Sequence, residues 1–296
     1  MSTPRFLGLP PGVRNTTVRT PMGNVAALQA TPSAGGCERQ PALLVPGYTG
    51  SKEDFIALLQ TLAAAGRSVT AVDLPGQYES PGLVDPGEYT RVGLGAIVGE
   101  VALTLDDGPV HLLGHSFGGL VARETVISAA VPLLSFTLMS SGPSAIGGAR
   151  AVDARRLADA IGRARTRERL EEIWAEHLDA PTRASGVSPE IHAFLRERMV
   201  ANHPDALVHM AEELLNATDR TPELARSALP MLVLYGENDD AWPPEAQSAM
   251  AGHLGAERVV IPGAAHSPNV EAPETTAEAL TAFWNQVESK DRSGTA

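Results

Sequence analysis

Residues 114–118 read Gly-His-Ser-Phe-Gly, a serine with a glycine two places to either side. A serine hydroxyl is a weak nucleophile at neutral pH and needs a base beside it to attack a carbonyl. Histidine is the usual base, and a carboxylate behind it fixes the imidazole tautomer and steadies the imidazolium that forms. The chain offers both. Glu237, Asp239 and Asp240 follow one apolar run, and His266 follows another. The chemistry that these residues suggest is acyl transfer through Ser116, with His266 as base and one of three carboxylates as its partner.

Such a serine needs a particular setting. The Gly-x-Ser-x-Gly pattern has meaning where a strand turns sharply into a helix, because the turn strains the serine backbone and lifts its hydroxyl above the sheet. Val110–Leu113 is a short apolar run that fits a buried strand. Leu120, Val121 and Thr125-Val126 continue at helical spacing. Glycines at 114 and 118 leave room where strand and helix crowd together.

Other elements follow the same alternation. Thr16–Thr20 and Val25–Gln29 flank a turn at Pro21–Asn24 and read as a hairpin. Apolar runs at Pro41–Gly47, Ser68–Leu74, Leu133–Met139, Met231–Tyr235 and Arg258–Ile261 read as strands. Helices are expected from Ser51, with Asp54 three residues on as a capping partner, over Tyr89–Leu105, and from Pro273 to about Val287. The face expected inward on the second is Val92, Ile97, Val98, Val101 and Leu105. Alternating strands and helices imply a mostly parallel sheet covered by helices on both faces. Functional groups in such sheets gather at the carboxyl ends of the strands, where Ser116, the acidic loop 237–240 and His266 all fall.

Alternation stops near Ala145 and resumes near residue 228. Between them no strand is convincing, and Ser188-Pro189 and Thr221-Pro222 read as helix starts. A helical cap is expected at 145–227, inserted into a core made of 1–144 and 228–296. Trp174, Phe194 and Met210 in the insertion, with Trp242 beyond the acidic loop, are candidates for a substrate pocket. The simpler reading of the first three is that they pack the insertion's own core.

A net charge of −12 argues against a nucleic-acid surface or a polybasic membrane patch. With Cys37 as its one cysteine the chain has no internal disulfide. There is no signal-peptide pattern and no run of membrane-spanning length, so a cytoplasmic protein is expected. The other histidines show no metal-ligand spacing, and His115, beside the serine, reads as a packing residue.

Taken together, these motifs resemble the α/β-hydrolase family, in its branch with a helical cap. The resemblance covers nearly the whole chain. It rests on the Gly114–Gly118 turn, on Gly236-x-x-Asp239 with Pro243 beyond, and on His266 followed by Glu271-Ala272-Pro273. It rests also on Pro46–Gly50 and on Asp73-Leu74-Pro75-Gly76 with Ser80. The chain order Ser, Asp, His is that of this fold. The resemblance implies an α/β-hydrolase fold, favours Asp239 over Asp240 and Glu237 as the acid, and makes the backbone N–H groups of Tyr48 and Phe117 the oxyanion hole. It implies a serine esterase acting on a small ester-like molecule, with no cofactor and no metal. A thioesterase or lactonase would use the same residues, and a non-catalytic ligand-binding protein is the reading from another class. Pro46, Tyr78 and Ala265 depart from the family pattern and bear on loop shape more than on chemistry.

Overall fold

Period-two alternation builds the sheet. In β3 (Ala42–Val45), Leu43 and Val45 face one layer of core while Ala42 and Leu44 face the other. The computed structural model describes every residue except 1, 33–36, 106–107, 163 and 295–296. In chain order the hairpin β1 (Val13–Thr20) and β2 (Gly23–Ala30) comes first, then β3. A 3₁₀ turn at Lys52–Phe55 leads into α1 (Ile56–Ala64), followed by β4 (Val69–Val72) and α2 (Arg91–Leu105). Next come β5 (Val110–His115), α3 (Phe117–Ser128) and β6 (Leu133–Met139). Strands run in the order β1-β2-β4-β3-β5-β6, continued by β7 (Met231–Gly236) and β8 (Glu257–Ile261). Pairings from β4 to β8 are parallel; β1–β2 and β2–β4 are antiparallel.

Between β6 and β7 lie α4 (Gly148–Ile161), α5 (Arg167–Ile173), a π-helical turn at Trp174–Leu178, α6 (Asp179–Ala184), α7 (Pro189–Ala201), α8 (Pro204–Leu215) and α9 (Thr221–Leu224). No strand occurs among the described residues of this stretch. After β7 come α10 (Pro244–Leu254), and after β8 come α11 (Pro268–Glu271) and α12 (Pro273–Gly294). The final helix thus runs past the end near 287 read from the sequence.

Helices cover both faces. Leu94, Val98, Leu120, Val121 and Met250 from α2, α3 and α10 pack with Val45, Leu112 and Val233. On the opposite face Leu58, Leu62, Leu280 and Trp284 from α1 and α12 pack with Leu44, Leu113 and Leu232. The inward stripe of α2 differs from the sequence expectation. Val92 is 62% exposed, and Leu94 takes its place. Leu94, Ile97, Val98, Val101 and Ala102 follow helical spacing, whereas 92 and 97 lie on different faces. Among the described residues no helix is long and apolar enough to cross a membrane.

The insertion has a core of its own, including Leu170, Ile173, Trp174, Ile191, Phe194 and Val208. Helix α8 joins it to the sheet side, because Ala206, Met210 and Leu214 pack into the larger core. A buried ion pair adds a second tie. Arg198 of α7 places Nη1 2.7 Å from Asp54 Oδ1, with the two side chains 0% and 1% exposed. Removing one member of such a pair leaves a charge stranded out of water and costs about 3–5 kcal/mol. Asp54→Ala should therefore lower the unfolding free energy by about 3 kcal/mol in urea denaturation. The joint change Asp54→Leu with Arg198→Met should lose clearly less, since no charge remains buried.

Candidate active site

Strand register brings the expected loops to one edge. Val45 lies beside Gly114, His115 beside Met139, and Gly236 beside Ile261. The loops that leave these positions carry Tyr48, Ser116, Asp239 and His266.

The turn at Ser116 is as crowded as its sequence implies. Ser116 has φ 54° and ψ −122°, a region that costs a side-chain-bearing residue about 1–3 kcal/mol. A methyl group on Gly114 would overlap the Gly118 carbonyl, and one on Gly118 would overlap the carbonyls of Val45 and Pro46. The Ser116 N–H donates to the Met139 carbonyl (2.9 Å), which pins the turn to the neighbouring strand. Phe117 opens α3, so its N–H has no intrahelical acceptor.

Three side chains meet there. Ser116 Oγ lies 2.9 Å from His266 Nε2, and His266 Nδ1 lies 2.9 Å from Asp239 Oδ1. An ionised carboxylate only accepts, so Nδ1 carries the ring proton and Nε2 is free to accept from the serine hydroxyl. All three are buried, at 6%, 7% and 5% exposed for Ser116, His266 and Asp239. Asp239 is further held by the Ala241 N–H (2.9 Å) and by Gln247 Nε2 (2.9 Å). Burial works to raise its pKa. The hydrogen bond and charge of His266, with the two other donors, outweigh that and hold it below the usual carboxylate range.

The rival carboxylates are occupied elsewhere. Asp240 is exposed and pairs with Arg150 of α4 (2.9 Å), and Glu237 accepts from the Gly263 N–H (3.0 Å). Asp73 sits in a buried cluster with Lys52 (3.0 Å) that also reaches Glu53 and Glu79. Among the described residues no group of three or more His, Cys, Asp or Glu is placed to hold a metal ion.

A cavity of about 770 Å³ opens above Ser116 and His266. Gly47–Gly50 and His115 line its floor. Its apolar wall comes from the insertion, with Ile146, Leu157, Ile173, Leu178, Met199 and Leu214. The four aromatic and methionine candidates read from the sequence stand elsewhere. Trp174 and Phe194 pack the insertion's own core, and Met210 turns to the sheet side. Trp242 is also core, its ring 6.1 Å from that of His266 and its Nε1 donating to the Ser144 carbonyl (3.0 Å). Size does not separate the two groups: Met199 lines the cavity, while Met210, the same side chain, packs the larger core. Gln247 went unnoticed in the sequence. Pro243-Pro244 announces the start of α10, but that its first turns carry Gln247 back to Asp239 depends on how the helix packs.

Gln247→Leu removes a donor from the ionised carboxylate. The Asp239 pKa should rise, read by ¹³C NMR titration of its carboxyl carbon, while Asp240 stays unchanged.

Known proteins were compared with this arrangement. Residues 42–279 match the Alpha/beta hydrolase family. The chain is 29% identical over 252 residues to the dihydrolipoyllysine-residue acetyltransferase component of the acetoin cleaving system of Pseudomonas putida, covering 84% of this chain. It spans 64% of that longer protein. It is 28% identical over 263 residues to the pimeloyl-[acyl-carrier protein] methyl ester esterase of Edwardsiella ictaluri, covering 84% of this chain and 94% of that one. Among solved structures, a thermophilic esterase from Thermogutta terrifontis superposes with a TM-score of 0.72 at 24% identity. That match covers 93% of this chain and 99% of the esterase, a likeness of fold.

Proposed function

The chain belongs to the alpha/beta hydrolase family, and from that premise we propose that it cleaves carboxylic esters through an acyl-enzyme on Ser116. The observation that carries this reading is the unbroken chain from Ser116 Oγ through both nitrogens of His266 to Asp239, each link 2.9 Å, on the floor of an apolar cavity. A relative named as a methyl ester esterase supports the same bond type.

Ser116 Oγ attacks the ester carbonyl carbon as its proton passes to His266 Nε2. Negative charge gathers on the former carbonyl oxygen, to which the Tyr48 and Phe117 N–H groups donate hydrogen bonds. A single such donor is worth about 3 kcal/mol of barrier. Asp239 steadies the imidazolium. Collapse breaks the bond to the alkoxy oxygen, which leaves with the proton from Nε2. Water then gives its proton to Nε2 and attacks the acyl carbon. The C–Oγ bond breaks, Oγ recovers the proton, and the acid departs. Residues 145–227 act as a cap that supplies the wall for the acyl or alkyl chain. Each methylene buried there contributes about 0.8 kcal/mol, which favours esters longer than acetate. The chemistry uses side chains and backbone of this chain alone.

A fluorophosphonate probe should modify Ser116 of the wild type, located by mass spectrometry, and should leave folded Ser116→Ala unmodified. Ester turnover should fall roughly 10⁴-fold or more in Ser116→Ala. A folded wild type that resists the probe and hydrolyses none of a panel of esters, thioesters and lactones overturns the reading.

The pH dependence follows from the same groups. Asp239 is held ionised below the usual carboxylate range, so it takes up no proton over about pH 5–8, where histidines titrate. His266 loses its base function when Nε2 is protonated. The acid side of the kcat/KM profile should therefore fall with a slope of one proton, and a two-proton slope would place another titrating group in the reaction.

A further inference from the structure

His115 is the last residue of β5 and the immediate neighbour of Ser116. Its ring is 1% exposed and borders the cavity. Nε2 lies 2.9 Å from the carbonyl oxygen of His266, and the two rings stand 5.2 Å apart. A carbonyl only accepts, so Nε2 carries the proton and Nδ1 is bare. No donor among the described residues reaches Nδ1.

Other bonds hold the base loop from the far side. The Asn238 N–H donates to the Ala264 carbonyl (2.9 Å), and Glu271 of α11 accepts from the N–H groups of Ala265 and Ser267. None of these fixes His266 relative to the nucleophile. Asp239 orients the ring through Nδ1, and two hydrogen bonds tie His266 directly to the segment that carries the nucleophile: Ser116 Oγ to Nε2, and His115 Nε2–H to the His266 carbonyl. The first disappears when Oγ is acylated. The second is untouched by any proton or bond that moves in the reaction.

We infer that His115 is a positioning residue, whose Nε2–H holds the His266 main chain in place through the acyl-enzyme stage, when the serine no longer holds the imidazole. This rests on the acyl-enzyme reading above. It goes beyond that reading by assigning a dependence to one half of the cycle. In acylation the hydroxyl itself orients Nε2. In hydrolysis of the acyl-enzyme, Nε2 must take a proton from a loosely held water, and a small misplacement of the base carries a large rate cost.

The charged groups that face the pair are Asp239 and Arg150. Burial, then the His266 charge, push the His115 pKa down to about 3. The ring is thus neutral across the working range, and substituting it removes a hydrogen bond and no charge.

The test is pre-steady-state hydrolysis of a p-nitrophenyl ester by the whole protein. His115→Leu keeps bulk and loses the donor. His115→Gln carries an amide that reaches the Nε2 position, and His115→Asn carries one that falls short. Hydrolysis of the acyl-enzyme should slow roughly tenfold more than acylation in the Leu and Asn variants. The signature is a p-nitrophenol burst followed by a slow steady state, with the pH midpoint unmoved and Gln returning the steady rate to within a few-fold of wild type. Wild-type kinetics in folded Leu and Asn variants would overturn the inference. So would an equal loss in both steps with no recovery in Gln, the pattern of a plain packing residue. Probe labelling of wild-type Ser116 separates the two claims. If that labelling fails, the ester-hydrolase reading falls; if it succeeds while the variants behave as wild type, the His115 role alone falls.

Discussion

The site depends on how closely α3 passes over the end of β3. At Gly118 the helix backbone comes so near Val45 and Pro46 that a methyl group has no place, and at Gly114 the strand meets the helix in the same way. This approach forces the left-handed φ at Ser116, and it sets the first turn of α3 beside the loop that carries Tyr48. The strained turn at Ser116 and the closeness of the Tyr48 loop are thus consequences of one packing contact. A third close approach, of Gly236 to the carbonyls of Ala264 and Ala265, fixes the acidic loop against the base loop in turn. Hydrogen bonds then align side chains that backbone crowding has already brought together.

Geometry of this kind does not suffice for reactivity, and the molecule contains its own control. His111 of β5 places Nδ1 2.7 Å from Ser135 Oγ and Nε2 3.2 Å from Glu288 Oε1. That is a serine, a histidine and a carboxylate at spacings like those of Ser116, His266 and Asp239. Yet Ser135 and His111 are 0% exposed, the His111 ring stacks on Trp284 (5.4 Å), and Arg67 pairs with Glu288 (3.0 Å). No substrate reaches that hydroxyl, and burial pushes the His111 pKa down. These residues fasten α12 to the sheet. What separates the two sets is the open cavity that borders Ser116 and His266.

Much of this was legible in the sequence because it is local. The Ser116 turn, the strand runs and the helix starts at proline are patterns of neighbouring residues, and the chain order of the three functional side chains followed from strand ends. Asp239 was separable from Asp240 only by resemblance. In space the two point apart, one to His266 and one to Arg150. Illegible features were those set by contacts between distant segments. No sequence pattern sets Arg198 apart, and it is fully buried against Asp54. His115 read as packing, and its bond to His266 spans 151 residues. The cavity wall was misread because which apolar residues of the insertion face the void is set by packing between distant segments: Met199 lines it and Met210 does not.

The division of labour between sheet and insertion explains why the wall was the hardest part to foresee. Ser116, Asp239 and His266 stand just past strand ends, where register is fixed by parallel pairing. The apolar wall stands on helices whose placement depends on a few anchors: the Arg198–Asp54 pair, the Arg150–Asp240 pair, and the Tyr48 hydroxyl, which donates to the Leu207 carbonyl of α8 (3.0 Å). Tyr48 is the most consequential of these. Its backbone belongs to the loop beside Ser116, and its side chain is tied to the helix that joins the insertion to the core. A displacement of α8 is therefore transmitted through one rigid ring to the loop beside Ser116. The shape of the wall and the placement of the Tyr48 loop are not independent variables in this fold, and substitutions that repack the insertion act on both.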